Sequence, residues 1–204
     1  MAKALGVPLV TISDVLRRFR PNLDLSTGQL VDDQLVSDAL LNGLKSYSKG
    51  YILDGFPRTL HQAQMMEETW PVHSQVKAAL KLAVPDIVCE TKLLGRRICK
   101  KCNGNYNVNA VDFAQWYLPP SLPQNCEHDC DPLVDWETRE DDRPEIVKER
   151  LSLYHEHMDP ILDYFESKNR LLKLSPYKGY DDVPEVIHKV QQWLDNVEGT
   201  GDPN

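Results

Sequence analysis

The sequence predicts an α/β protein built on a parallel sheet, and three observations carry that expectation. Short apolar runs alternate with helical patterns, the order that packs helices across parallel strands. Two of the helical patterns are long and apolar on one face. A central stretch lacks the periodicity of its flanks and reads as an inserted subdomain. The 204 residues suit one domain carrying such an insertion. A content of 41% hydrophobic and 26% charged residues excludes a wholly disordered chain.

The elements follow in order. Tyr51-Ile52-Leu53 reads as a buried strand that ends in the turn Asp54-Gly55 and leads to a helix from Thr59. Thr59 with Gln62 forms a T-x-x-Q capping pair, in which the hydroxyl takes an amide of the first turn. Residues 76–84 read as a second strand stopped by Pro85, followed by a helix over 86–97. In residues 145–168, Val147, Leu151, Tyr154, Met158, Ile161, Leu162 and Phe165 keep the 3-4 spacing of one buried face, with a kink expected at Pro160. Residues 171–174 form another short strand. A last helix begins near Asp182, with Glu185 as its capping partner and Val186, Ile187, Val190, Trp193 and Leu194 on its apolar side. Residues 98–137 hold four of the five cysteines and four prolines, and form the insertion.

Charge and composition narrow the function. A net charge of −8 argues against a general binder of nucleic acid or anionic membrane, which needs a basic surface. No run approaches the roughly 20 apolar residues of a membrane span. Residues 1–10 do not show the ordered regions of a secretory leader, so none is expected. An odd number of cysteines, mostly close together, fits a reducing compartment and a local metal cluster better than a disulfide framework.

Within this acidic chain Arg17, Arg58, Arg96, Arg139 and Arg150 sit at the ends of elements or just inside helices. Guanidinium forks grip phosphate through two bonds and keep their charge, which points to an anionic ligand. Singly, each reads better as a surface ion pair, and only their grouping points to the ligand. Asp54 at the carboxyl end of a parallel strand is placed to hold water or Mg²⁺ beside a nucleotide. The turn alone accounts for Gly55 and Pro57.

The segment Tyr51-Ile-Leu-Asp-Gly-Phe-Pro-Arg-Thr-Leu-His-Gln-Ala-Gln64 resembles the signature of adenylate kinases and related nucleoside monophosphate kinases. Leu94-Gly95-Arg96-Arg97 resembles the entry to that family's lid. Thr138-Arg139-Glu-Asp-Asp142, Lys148-Glu-Arg150-Leu and Tyr154-His155 resemble its exit. Gly6-Val-Pro8, Asp14-Val-Leu-Arg17 and Gly28-Gln-Leu-Val31 fit its early part, so the likeness runs almost end to end.

The resemblance implies a three-layer phosphate-loop kinase fold, with a core of residues 1–97 and 138–204, an AMP-binding segment near 12–40 and a lid over 98–137. It implies phosphoryl transfer from a nucleoside triphosphate, ATP or GTP, to AMP, with Mg²⁺ accompanying the nucleotide. On the AMP side it implies Arg17, the backbone around Val31, Gly55, Arg58 and Gln62, the last reading the adenine edge. Arg139 and Arg150 touch AMP and, with Arg58 and Arg96, surround the transferred group. Asp54 supports the hydration shell of Mg²⁺. Arg96, Lys92 and Tyr106 serve the triphosphate side.

The long lid favours the adenylate kinase type. Cys99-x-x-Cys102 and Cys126-x-x-x-Cys130, separated by 23 residues, resemble the structural zinc site of some long lids, with His128 or Asp129 as an alternative ligand. Four unliganded thiols are the plainer alternative. Cys89 reads as a packing residue.

The sequence also departs from the family. No G-x-x-x-x-G-K occurs, and residues 1–6 resemble the end of the helix that follows that loop. The expectation is a chain without the first, central strand and without the phosphate loop. Ile12-Ser13-Asp14 stands where the family has Thr-Gly-Asp. Lys92 stands where arginine is common, which keeps the charge but not the planar face. The alternative to a kinase is an AMP-binding pseudokinase or scaffold. The expected partners are ATP or GTP, AMP and ADP, with no nucleic acid and no membrane. A monomer in the cytoplasm is expected, with mitochondria or another organelle left open.

Overall fold

The computed structural model describes residues 1–22, 31–45, 47, 49–123, 130–131 and 134–199, with side chains to residue 196. Gly28, Cys126, His128 and Asp129 lie outside the described residues. The architecture is mixed α/β, with parallel and antiparallel strand pairs, and the chain forms two compact units. No described helix is long and apolar enough to cross a membrane.

The first unit comprises residues 1–81, 154–174 and 183–204. The short helix α1 (Ala2–Leu5) closes on Gly6, whose φ of +68° is the left-handed stop that glycine adopts freely. β1 (Leu9–Thr11) pairs in parallel with β2 (Ile52–Asp54), and Thr11 stands opposite Asp54. Between them in sequence lie α2 (Ile12–Phe19) and α3 (Asp33–Leu44). α4 (Leu60–Thr69) follows β2, and a 3₁₀ turn follows at Val72–Ser74. β3 (Ala79–Leu82) pairs with β9 (Leu171–Leu174), and the Ala79 amide donates to the Arg170 carbonyl. The last helix, α7 (Val183–Gly199), packs beside β9.

The apolar faces of these elements meet in one core. Leu40 is 0% and Phe165 2% exposed, with Val10, Leu16, Phe56 and Trp70 around them. Full burial of each such side chain contributes roughly 1.5–3 kcal/mol. Trp70 stacks on Phe56 at 6.1 Å and donates its indole N–H to the buried Ser37 hydroxyl at 2.7 Å, so neither polar group is stranded.

The second unit comprises residues 82–153 and 175–182. α5 (Asp86–Leu94) leads into β4 (Arg96–Cys99), the middle strand of an antiparallel sheet between β5 (Asn105–Asn107) and β8 (Trp136–Glu137). β6 (Val111–Phe113) and β7 (Trp116–Leu118) form a hairpin. Val88, Val111 and Trp116 make a small core, and Tyr177, preceding the 3₁₀ turn Gly179–Asp182, meets Trp116 edge-on. A 3₁₀ turn at Glu140–Asp142 precedes α6 (Pro144–Glu166), which begins in this unit and ends in the first.

Several boundaries differ from the sequence expectation. The helix expected over 86–97 stops at Leu94, because the Asn107 and Asn109 side chains take the carbonyls of Lys92 and Thr91, and Arg96 and Arg97 join β4. The strand expected over 76–84 shrinks to 79–82. The helix expected over 145–168 spans Pro144–Glu166, with Pro160 inside it.

Candidate functional site

In the first unit the segment after β2 makes a tight turn. Gly55 has φ +82°, and a Cβ there would sit 3.1 Å from Ile12 Cγ2, so only glycine fits without a shift. The Phe56–Pro57 peptide is cis. Arg58 is exposed, and its Nε donates back to the Gly55 carbonyl at 2.9 Å, which aims the guanidinium along the turn. Thr59 caps α4 by accepting the Gln62 amide at 3.1 Å. The Gln62 side chain does not complete the expected box: its Oε1 accepts the Arg58 amide at 2.7 Å and its Nε2 donates to Asp33 Oδ1 at 2.6 Å.

Asp33, on the first turn of α3, also meets His61 Nδ1 at 2.7 Å through its other oxygen. Thr11 caps α2 by accepting the Asp14 amide, and its hydroxyl donates to Asp14 Oδ2 at 2.6 Å. Arg17 lies 3.7 Å from Asp14, both exposed. Asp54 is exposed at the carboxyl end of β2, and Val31 is half-buried against the core. Sequence reasoning assigned no role to Asp33, His61 or Thr11. For Thr11 the signal was present, a T-x-x-D pair opening a helix.

In the second unit three arginines gather on two adjacent carboxylates. Asp142, 2% exposed, accepts Arg96 Nε at 2.8 Å and Nη2 at 2.5 Å. Asp141 accepts Arg139 Nε and Nη2, each at 2.8 Å. Arg150 Nη1 reaches the same Asp141 carboxylate at 3.3 Å and its carbonyl at 3.2 Å. The Glu140–Asp142 turn thus holds three like-charged guanidiniums near one another by offsetting their charge. Both aspartates belong to the lid-exit motif read in the sequence, but neither was given a role there.

Lys92 and Tyr106 occupy the same unit. The Lys92 ammonium donates to the carbonyls of Asn109, Leu118 and Pro119 at 2.8, 3.1 and 3.0 Å, one acceptor for each of its protons. Burial lowers its pKa from the usual lysine value. Tyr106 stacks on Trp136 at 5.1 Å and places its hydroxyl 3.4 Å from Cys102 Sγ.

The sulfurs of Cys99, Cys102 and Cys130 lie within 4.8 Å of one another, and Cys99 is 0% exposed. Tetrahedral zinc with bonds of 2.3 Å spaces its sulfurs about 3.8 Å apart, so a small contraction closes the site. The Cys99–Gly104 turn suits such an ion: the Asn103 amide donates to the Cys99 carbonyl at 2.8 Å and the Gly104 amide to Cys102 Sγ at 3.4 Å. The Tyr106 hydroxyl above all, then the Gly104 amide, hold the Cys102 thiol down to about 6. These donors fit a thiolate-bound metal and the amide support its ligands receive. Cys89, by contrast, is half-buried against the Val84 carbonyl, and burial raises its pKa.

Comparison with known proteins gives one family. The family model described as adenylate kinase matches residues 22–170. A protein of Oryza sativa subsp. japonica named "Probable adenylate kinase 6, chloroplastic" is 32% identical, over 95% of this chain and 70% of its own length. The protein of the same name from Arabidopsis thaliana is 34% identical over 85% of this chain, but this chain covers 62% of it, less than two thirds. The "Adenylate kinase" of Lachnospira eligens is 30% identical over 93% of this chain and 90% of its own length.

Proposed function

The chain belongs to the adenylate kinase family, and on that premise we propose that it transfers a phosphoryl group reversibly from ATP to AMP, giving two molecules of ADP. An oxygen of the AMP phosphate attacks the γ-phosphorus. The bond from that phosphorus to the β,γ-bridging oxygen breaks, and its electron pair leaves on the new ADP. Such a reaction asks little covalent chemistry of the protein, so positioning and positive charge supply the catalysis.

The observation that carries this reading is the arginine cluster on Asp141 and Asp142. Arg96 and Arg139 are already held in the planar, two-pronged geometry that a phosphate shares with a carboxylate, and Arg150 reaches Asp141 through one nitrogen beside them. Asp141 and its partners Arg139 and Arg150 are 29%, 46% and 42% exposed at the side chain, open enough for a phosphoryl group to replace the carboxylate. Arg96, pinned by the buried Asp142, stays in place.

The remaining roles follow. Arg17, Gly55, Arg58, Gln62 and the backbone at Val31 take AMP. Arg96 and Tyr106 serve the triphosphate side, and Lys92 serves it by holding residues 109 and 118–119. Mg²⁺ bound with the nucleotide neutralises charge on the phosphates, and the exposed carboxylate of Asp54 is suited to its water shell. Cys99, Cys102 and Cys130, with Cys126 as fourth ligand, hold a structural zinc. The core is that of the three-layer phosphate-loop kinases. Among the described residues β1–β2 and β3–β9 form separate two-stranded pairs, which is compatible with a core that has a further strand between them.

One observation favours a second reading, AMP binding without transfer: none of the 204 residues forms a G-x-x-x-x-G-K phosphate cradle. A coupled assay of ADP formation from ATP, AMP and Mg²⁺ separates the two. ADP production that falls on Arg139→Ala supports the kinase. AMP binding by calorimetry with no ADP formed supports the second reading.

A further inference from the structure

Gln62 is 2% exposed, and both ends of its carboxamide are committed. Nε2 donates to Asp33 Oδ1 at 2.6 Å, and Oε1 accepts the Arg58 amide at 2.7 Å. A carboxylate only accepts and a backbone N–H only donates. Turning the carboxamide over would set oxygen against oxygen and N–H against N–H, losing both bonds. Asp33 is fixed in turn. Its second oxygen lies 2.7 Å from His61 Nδ1, and the helix that carries it is capped by Asp32, which accepts the Leu35 amide at 2.9 Å. The polarity of the Gln62 side chain, on α4, is therefore imposed jointly by Asp33 of α3 and the Arg58 backbone amide.

Polarity decides which purine edge a carboxamide can meet. Adenine presents a 6-amino donor beside the N1 acceptor. Hypoxanthine presents an O6 acceptor beside an N1–H donor on an otherwise identical ring. After its two internal bonds Gln62 retains one donor hydrogen and one acceptor lone pair, at defined ends. One of the two purine edges matches them, and the other sets like against like. We propose that Asp33 is a specificity-determining positioning residue: by fixing which end of the Gln62 carboxamide donates, it makes the monophosphate site accept a 6-aminopurine and reject a 6-oxopurine. This rests on the AMP reading above and goes beyond it, assigning the discrimination to a residue that need not touch the nucleotide.

Calorimetry with AMP and with inosine monophosphate, on the 204-residue protein and on Asp33→Asn and His61→Ala, tests it. The two nucleotides share ribose and phosphate, so any general loosening of the site cancels in the ratio of their affinities. Asparagine keeps the size of aspartate but brings a donor, and can face either end of Gln62. The wild-type protein is expected to prefer AMP by about tenfold or more, and Asp33→Asn to cut that ratio by about tenfold. The exposed His61→Ala, which only unclamps Asp33, is expected to cut it by about threefold. Melting curves establish that each variant is folded. An unchanged ratio in the folded variants overturns the proposal, and His61→Ala decides alone if Asp33→Asn does not fold. A wild-type protein that binds neither nucleotide overturns the AMP reading itself, and this inference with it.

Discussion

Asp142 holds Arg96 through both carboxylate oxygens, at 2.8 and 2.5 Å, with none of the aspartate side chain exposed. Arg96 starts β4, opposite Asn107 of β5, and Asp142 ends the turn before α6, so the pair joins sheet and helix within one unit. A carboxylate this deep is tolerable only because the guanidinium neutralises it and fills both of its oxygens.

Removing one partner is therefore expensive. Asp142→Ala is expected to lower the unfolding free energy by about 3–5 kcal/mol, since it strands the Arg96 charge. Denaturant melts read this directly, and an unchanged midpoint would show that the pair adds nothing to stability.

Arg139 is different in kind. Its pair with Asp141 is exposed, and such pairs contribute about 0–1 kcal/mol, so Arg139→Ala should melt close to the wild type. If its guanidinium stabilises charge in phosphoryl transfer, kcat should fall by roughly a thousandfold or more. A loss of kcat below about tenfold would remove Arg139 from the proposed chemistry.

Arg58 bears on AMP capture. Its guanidinium is exposed and anchored by the Gly55 carbonyl, so Arg58→Ala should leave the fold intact. AMP affinity measured by calorimetry should drop by about tenfold or more, the loss of a charge-assisted phosphate contact. Equal affinities would move the monophosphate site elsewhere.

Glu67 predicts a pH dependence. Its hydrogen bond from Lys168 first, then that from Tyr164, with Arg170 alongside at 3.0 Å, hold its carboxyl at about 2, below the usual 4.5. A depressed folded pKa means that the stabilisation is fully present above 4.5 and is lost as pH falls toward 2. The urea midpoint should decline across that window, and Glu67→Gln should flatten the decline. An equally steep fall in the variant would assign the acid sensitivity to other carboxylates.

The thiol cluster predicts a metal. Purified protein should carry about one zinc per chain by elemental analysis, and Cys102→Ser should carry little. Chelation should lower the melting temperature of the wild type and leave that of Cys102→Ser unmoved. Metal-free protein with freely titrating thiols would leave the cluster as packing.

Much of this was legible in the residues themselves. Thr59 caps α4 as the T-x-x-Q spacing requires, and the apolar spacing of 145–168 becomes α6, because capping and amphipathic periodicity act over three or four residues. The family likeness carried by residues 51–64 returned in the comparisons, since a strand, a glycine turn and a capped helix are written contiguously. Tertiary structure decided what those residues face. Gln62 finds Asp33 across 29 positions, Arg96 finds Asp142 across 46, and Glu67 finds Arg170 across 103. Asn107 and Asn109 end α5 two residues before Arg96, where its local helical pattern alone would have continued. No periodicity encodes such partners: a side-chain bond between distant segments exists only once packing has brought their backbones within reach of it.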